Sequence, residues 1–138
     1  MEDKTLFIKI GEAILNTDNL AAIAVGYPRD KYHKDKISAI DHLGNYIVLT
    51  EDGDTIANVF RKPNLRNNYL FFSNAIVDKK RLNSVYIFAR KRYENSEPYE
   101  YDIYAKFNHF EINLGVFSSR EQAKAALDQI NKTVFFQV

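Results

Sequence analysis

Residues 13–25 read AILNTDNLAAIAV, and residues 75–87 read AIVDKKRLNSVYI. Set side by side at an offset of 62, Ala13 falls on Ala75, Ile14 on Ile76, Leu15 on Val77 and Asn16 on Asp78. Further on, Leu20 falls on Leu82, Ile23 on Val85 and Val25 on Ile87. The register also runs backwards, with Phe7 on Tyr69, Ile8 on Leu70 and Ile10 on Phe72. Each stretch then describes a strand, a turn, an aliphatic pair ending in Asn or Asp, and a second strand opened by Leu. Asn and Asp suit that corner because their side chains can bond the backbone two residues on. Only an Ala, an Ile and a Leu are identical within the window, and alternating hairpins resemble one another by chance. The reading taken is an internal duplication of a β-hairpin unit, with halves at about 1–62 and 63–138 inside a single domain spanning 1–138.

Outward from this pair, strand signals dominate. Tyr, Phe, Ile and Val are abundant, and such side chains pack well on a pleated surface. Residues 5–10 place Leu6, Ile8 and Ile10 on one face, and Gly11-Glu12 reads as a tight turn. Residues 26–36 form a polar loop, 37–41 a short strand, and Leu43-Gly44-Asn45 a turn. Tyr46 to Thr50 reads as a strand. Asp52-Gly53 then predicts a hairpin turn, with Thr55 to Phe60 as the returning strand. Residues 61–68, carrying Pro63, connect to a strand beginning at Tyr69. Val85 to Ala89 and Tyr99 to Phe107 alternate on either side of a polar loop at 94–98, and Phe110 to Val116 is a further strand. One helix is expected, opened by Ser118 and Glu121 as a capping box. Its apolar stripe is Ala123, Ala126, Leu127 and Ile130. Residues 133–138 read as a last strand or a docked tail.

The fold class that follows is α+β: mostly antiparallel β, as a sandwich or open barrel, with one C-terminal amphipathic helix. That layout is similar to the pleckstrin-homology-like architecture. The likeness is one of layout and implies no activity.

Charge is unevenly placed. Residues 1–60 carry 6 Lys/Arg against 10 Asp/Glu, and residues 93–138 carry 4 against 7. Residues 61–92 carry Arg61, Lys62, Arg66, Lys79, Lys80, Arg81, Arg90, Lys91 and Arg92 against Asp78 alone. On one face these nine side chains would suit an acidic partner. Tyr69, Phe71, Phe72, Tyr86 and Phe88 lie among them as stacking surfaces. Equally, Glu97, Glu100 and Asp102 across the following loop could neutralise Arg90, Lys91 and Arg92 by cross-strand pairing.

No catalytic set is visible. There is no cysteine, which removes disulfides, thiolate metal sites and a cysteine nucleophile. His33, His42 and His109 are not at metal-ligand spacing, and Glu51-Asp52-Gly53-Asp54 lacks the ligand series of a calcium loop. Tyr93, Tyr99, Tyr101 and Tyr104 flank one hairpin as sheet packing. No cofactor and no metal are expected. The acidic start, Met1-Glu2-Asp3-Lys4, reads as no signal peptide, and no apolar run approaches the length of a bilayer span. The expectation is a cytoplasmic, non-enzymatic binding or interaction module whose partner is another protein or a second copy. Nucleic-acid or anionic-ligand binding through 61–92 is the alternative, and an enzyme is the third class.

Overall fold

In the computed structural model, which describes residues 6–129, ten strands form three antiparallel sheets, none of them closed. β1 (Phe7–Ile10) and β2 (Ala13–Asn16) form a hairpin around Gly11, whose positive φ of 59° makes the turn. β3 (Leu20–Val25), β4 (Ile37–Asp41) and β5 (Tyr46–Leu49) form a meander. α1 (Gly53–Phe60) follows, and after a short 3-10 turn the series begins again. β6 (Tyr69–Phe71) and β7 (Ala75–Asp78) form a hairpin. β8 (Ser84–Arg90), β9 (Glu100–Lys106) and β10 (Glu111–Phe117) form a meander, and α2 (Arg120–Asp128) closes it. Hairpin, meander and helix thus occur twice.

The two hairpins share register. Phe7 opposes Asn16 as Tyr69 opposes Asp78, and Ile8 opposes Leu15 as Leu70 opposes Val77. Both corners are turned by the same side-chain bond. The Asn16 Oδ1 accepts from the Asp18 amide at 2.9 Å, and the Asp78 Oδ1 from the Lys80 amide at 2.8 Å. The meanders also correspond: Ile23 opposes Ala39 as Val85 opposes Ala105, and Val25 opposes Ile37 as Ile87 opposes Ile103.

Mid-chain, the expected Asp-Gly hairpin gives way to α1. A type I′ turn needs positive φ at its central residues, and Gly53 is instead the first residue of the helix. Asp52 is its N-cap, accepting from the Thr55 amide at 2.8 Å. Ile56, Ala57 and Phe60 recur at helical spacing and are buried, whereas a returning strand would have split Ile56 from Ala57. The C-terminal helix forms as expected, one residue later than read. Its N-cap is Ser119, which accepts from the Gln122 amide at 3.2 Å, and Gln122, not Glu121, reaches back, its Oε1 accepting from the Ser118 hydroxyl at 2.8 Å one residue before the cap. Ala123 is buried beneath it with Ala126 and Leu127 partly buried. Ile130 and residues 133–138 lie outside the described residues.

The halves interlock. β7 hydrogen-bonds to β3, so the hairpin of the second half extends the meander of the first into a five-stranded sheet ordered β5-β4-β3-β7-β6. One face of that sheet belongs to a core with β1, β2 and α1: Ile8, Ile10, Leu15, Ile23, Ala39, Leu49, Ile56, Phe60 and Ile76. The other face, through Ala22, Ala24, Ile40, Ala75 and Val77, meets Ile103, Ala105, Ile112, Leu114 and Ala123 of the second meander and α2. β3 is therefore buried on both sides, which explains its unbroken apolar sequence.

Candidate binding surfaces

The nine basic residues of 61–92 divide into two groups. Arg61 caps the end of α1, and the amides of Leu65 and Arg66 fold back onto the Lys62 carbonyl. The Lys79 amide donates to the Asn68 carbonyl at 3.0 Å, so the backbone carrying Lys62 and Arg66 approaches that carrying Lys79, Lys80 and Arg81. Between them lies a depression of about 350 Å³ bordered by Thr17, Asp18, Asn64, Asn68, Asp78 and Lys80. The Arg81 guanidinium reaches across and donates to the Asp18 carbonyl. Burial pushes the Asp78 carboxyl above the usual carboxylate range, against the opposing pull of Lys80 and Arg81.

Arg90, Lys91 and Arg92 sit at the far end of β8, roughly 20 Å along a seven-residue strand. Arg90 is already engaged. Its Nε donates to the Oδ2 of Asp102, and its Nη2 to the Tyr104 hydroxyl at 3.2 Å. Asp102 is fully buried and Arg90 31% exposed, so the pair, formed across the β8–β9 ladder, has one partner inside and one reaching water. Arg92 lies over the Tyr99 ring at 5.4 Å. Of the aromatic residues that lie among the nine basic residues in sequence, Tyr69 and Phe72 are buried, and Phe88 is exposed.

The other sequence candidates take structural places. Asp30 caps its own loop and pairs with His33 at 2.8 Å, which holds its carboxyl below the usual range. The exposed Asp52 is likewise held low by the Thr55 amide of the helix cap. Tyr101 packs on the second core and takes Arg120 over its ring, while Tyr104 faces outward beside Tyr86. Among the described residues no group of three His, Cys, Asp or Glu side chains could hold a metal ion. No helix among them is long and apolar enough to cross a membrane.

A surface that sequence reasoning did not single out lies beside β2. Among the described residues β2 pairs only with β1, and β5 only with β4. Beside the free edge of β2, over the face of β3, β4 and β5, runs a groove of about 240 Å³, with Ile14, Leu15, Leu20, Ala39 and Ile47 as its apolar wall. Asn16, Asn19, Asp41 and Asn45 form its polar rim. The back of the hairpin is bare: Phe7 is 60% and Ile14 68% exposed. Their register counterparts in the second half, Tyr69 and Ile76, are 5% and 0% exposed, because β3 has joined that hairpin and carried them onto the first core. The sequence signal was present. β1 and β2 carry apolar residues on both faces, which a hairpin with one solvated face does not need.

Comparison of the chain with protein-family models, with curated proteins and with solved structures finds no match.

Proposed function

We propose that the chain is a non-enzymatic protein-interaction module that binds an extended segment in the groove between β2 and β5. One observation carries this reading: the same place in the second half is filled, by β3, and in the first half it is open. A free strand edge presents unpaired amides and carbonyls that a partner strand satisfies, and side-chain pockets beside it supply specificity. The groove offers both. A display library of random peptides selected on the full chain tests the proposal. Enriched peptides should alternate apolar residues, and hydrogen exchange should slow in residues 13–16 and 46–49 when they bind. Peptides that bind while leaving both edges unprotected, or no enrichment at all, overturn it.

A second reading rests on the backbone proximity of the turn carrying Lys62 and Arg66 to the corner carrying Lys79 and Lys80, of which Lys80 borders the depression. Basic side chains carried on both segments would favour an anionic ligand, nucleic acid included. Binding through them would fall steeply with added salt. A gel shift that stays negative at low salt removes that reading and leaves the first intact.

A further inference from the structure

We infer that the strand entering the β2 groove is β8 of a second copy of this chain; the inference rests on the strand-adding reading above and names its partner. The internal β3–β7 contact is the template. There Ala22 opposes Val77, Ile23 opposes Ile76 and Ala24 opposes Ala75. At the offset of 62 the counterparts of β3 and β7 are β8 and β2. The same register pairs Ser84 with Leu15, Val85 with Ile14 and Tyr86 with Ala13 of the neighbouring copy. Both edges are free for it: among the described residues β8 pairs only with β9, and β2 only with β1.

Burial shows the same gap from both sides. In the first half Leu20 and Ile23 are buried, while their counterparts Leu82 and Val85 are only partly covered where they pack on the second core. Beside the first pair, in the same sheet, lie Tyr69 and Ile76 of the β6–β7 hairpin. The matching residues of the β1–β2 hairpin, Phe7 and Ile14, are the exposed ones. Setting the hairpin of one copy on β8 of another buries all four together.

The chemistry of the two grooves differs in step with their occupants. The filled groove receives Ala22, Ala24 and Ile40, all buried and apolar. The open one has the rim Asn16, Asn19, Asp41 and Asn45, and the corresponding face of the second meander brings Ser84, Tyr86 and Lys106. Polar side chains thus meet a polar rim. Each copy uses two different edges, so the contact is head-to-tail. It builds a chain of copies or a closed ring.

The absence of cysteine makes the test clean. Two single-cysteine variants, Ile14→Cys and Val85→Cys, are mixed and oxidised, with Ile14→Cys plus Val116→Cys as the control. Facing positions on neighbouring antiparallel strands lie within disulfide reach. The expected result is a disulfide-linked heterodimer of the Ile14→Cys and Val85→Cys chains, well above the control. Sedimentation velocity of the unmodified chain should show association that rises with concentration and is lost in Ile14→Lys. A monomer at every concentration, or no excess over the control, overturns the inference. If library peptides still protect β2 and β5, only the second copy is wrong. If they do not, the strand-adding reading falls with it.

Discussion

The two meanders have the same register and opposite surroundings. β3 lies in the middle of a five-stranded sheet with apolar matter on both faces; β8 lies at an edge with one face on a core and the other toward water. Their outer residues record the difference. Where the first meander has Ala22, Ala24, Ser38 and Ile40, the second has Ser84, Tyr86, Tyr104 and Lys106 at the matching register. Small side chains let the second core approach β3 closely, and large polar ones keep water acceptable against β8. One backbone pattern therefore serves two burial states, and side-chain size and polarity decide which.

The sharpest way to break the comparison is at the Arg90–Asp102 pair of the second half. Arg90→Met leaves the fully buried Asp102 carboxylate without its cation. It should cost about 3 kcal/mol, at the low end for a broken buried pair because Arg90 keeps one flank in water. The urea midpoint reads this, and adding Asp102→Leu should recover most of it.

Next come the equivalent positions Ile23 and Val85. Ile23→Ala empties a site buried on every side and should cost about 3 kcal/mol. Val85→Ala, at the free edge, should cost about 1 kcal/mol. Equal losses in thermal unfolding would mean that the two strands are not in different environments.

The helix caps differ in chemistry at the same place, and so in pH response. Ser119→Ala should cost α2 about 1 kcal/mol, at any pH. The Asp52 cap of α1 is a carboxylate held below its ordinary value, so its contribution is fully present above the ordinary carboxylate range. It is lost as pH falls through the lower, folded-state value. Circular dichroism of Asp52→Ser should show that acid-dependent part removed.

The smallest effect is expected at the corner. Asp78 is raised by burial, so its charged form is disfavoured on folding, and the cost grows as pH rises through the carboxylate range. Asp78→Asn restores the residue type of the first corner and keeps the acceptor for the Lys80 amide. The melting temperature should rise slightly at neutral pH and be unchanged in strong acid.

Much of this arrangement was legible in the residues. The strands, the loop at 26–36 and the terminal helix announced themselves by period and by turn chemistry. The Asn16 and Asp78 corners were matched from sequence, and both prove to make the same bond. α1 was not legible because Asp-Gly serves two structures equally well, a turn centre or a helix cap. The difference lies in whether Ile56, Ala57 and Phe60 find a common surface, and that surface is made by distant strands. The division of the basic residues escaped for the same kind of reason: proximity in sequence says nothing of the strand length that separates Arg81 from Arg90. The groove beside β2 is a non-local property throughout, since it is defined by which strand sits beside which.

The β3–β7 ladder carries one more consequence, for the order in which the molecule is made. Ile23 waits for a partner, Ile76, that is synthesised about fifty residues later. A nascent chain that has emerged only as far as α1 lacks the strand that fills the second edge of β3, so completion of the first half must follow synthesis of the second hairpin. Late pairings of this kind are slow to close and leave a sticky edge in the interval. The feature that joins the halves in the finished protein is thus also the step at which a growing chain is most exposed to pairing with the wrong neighbour.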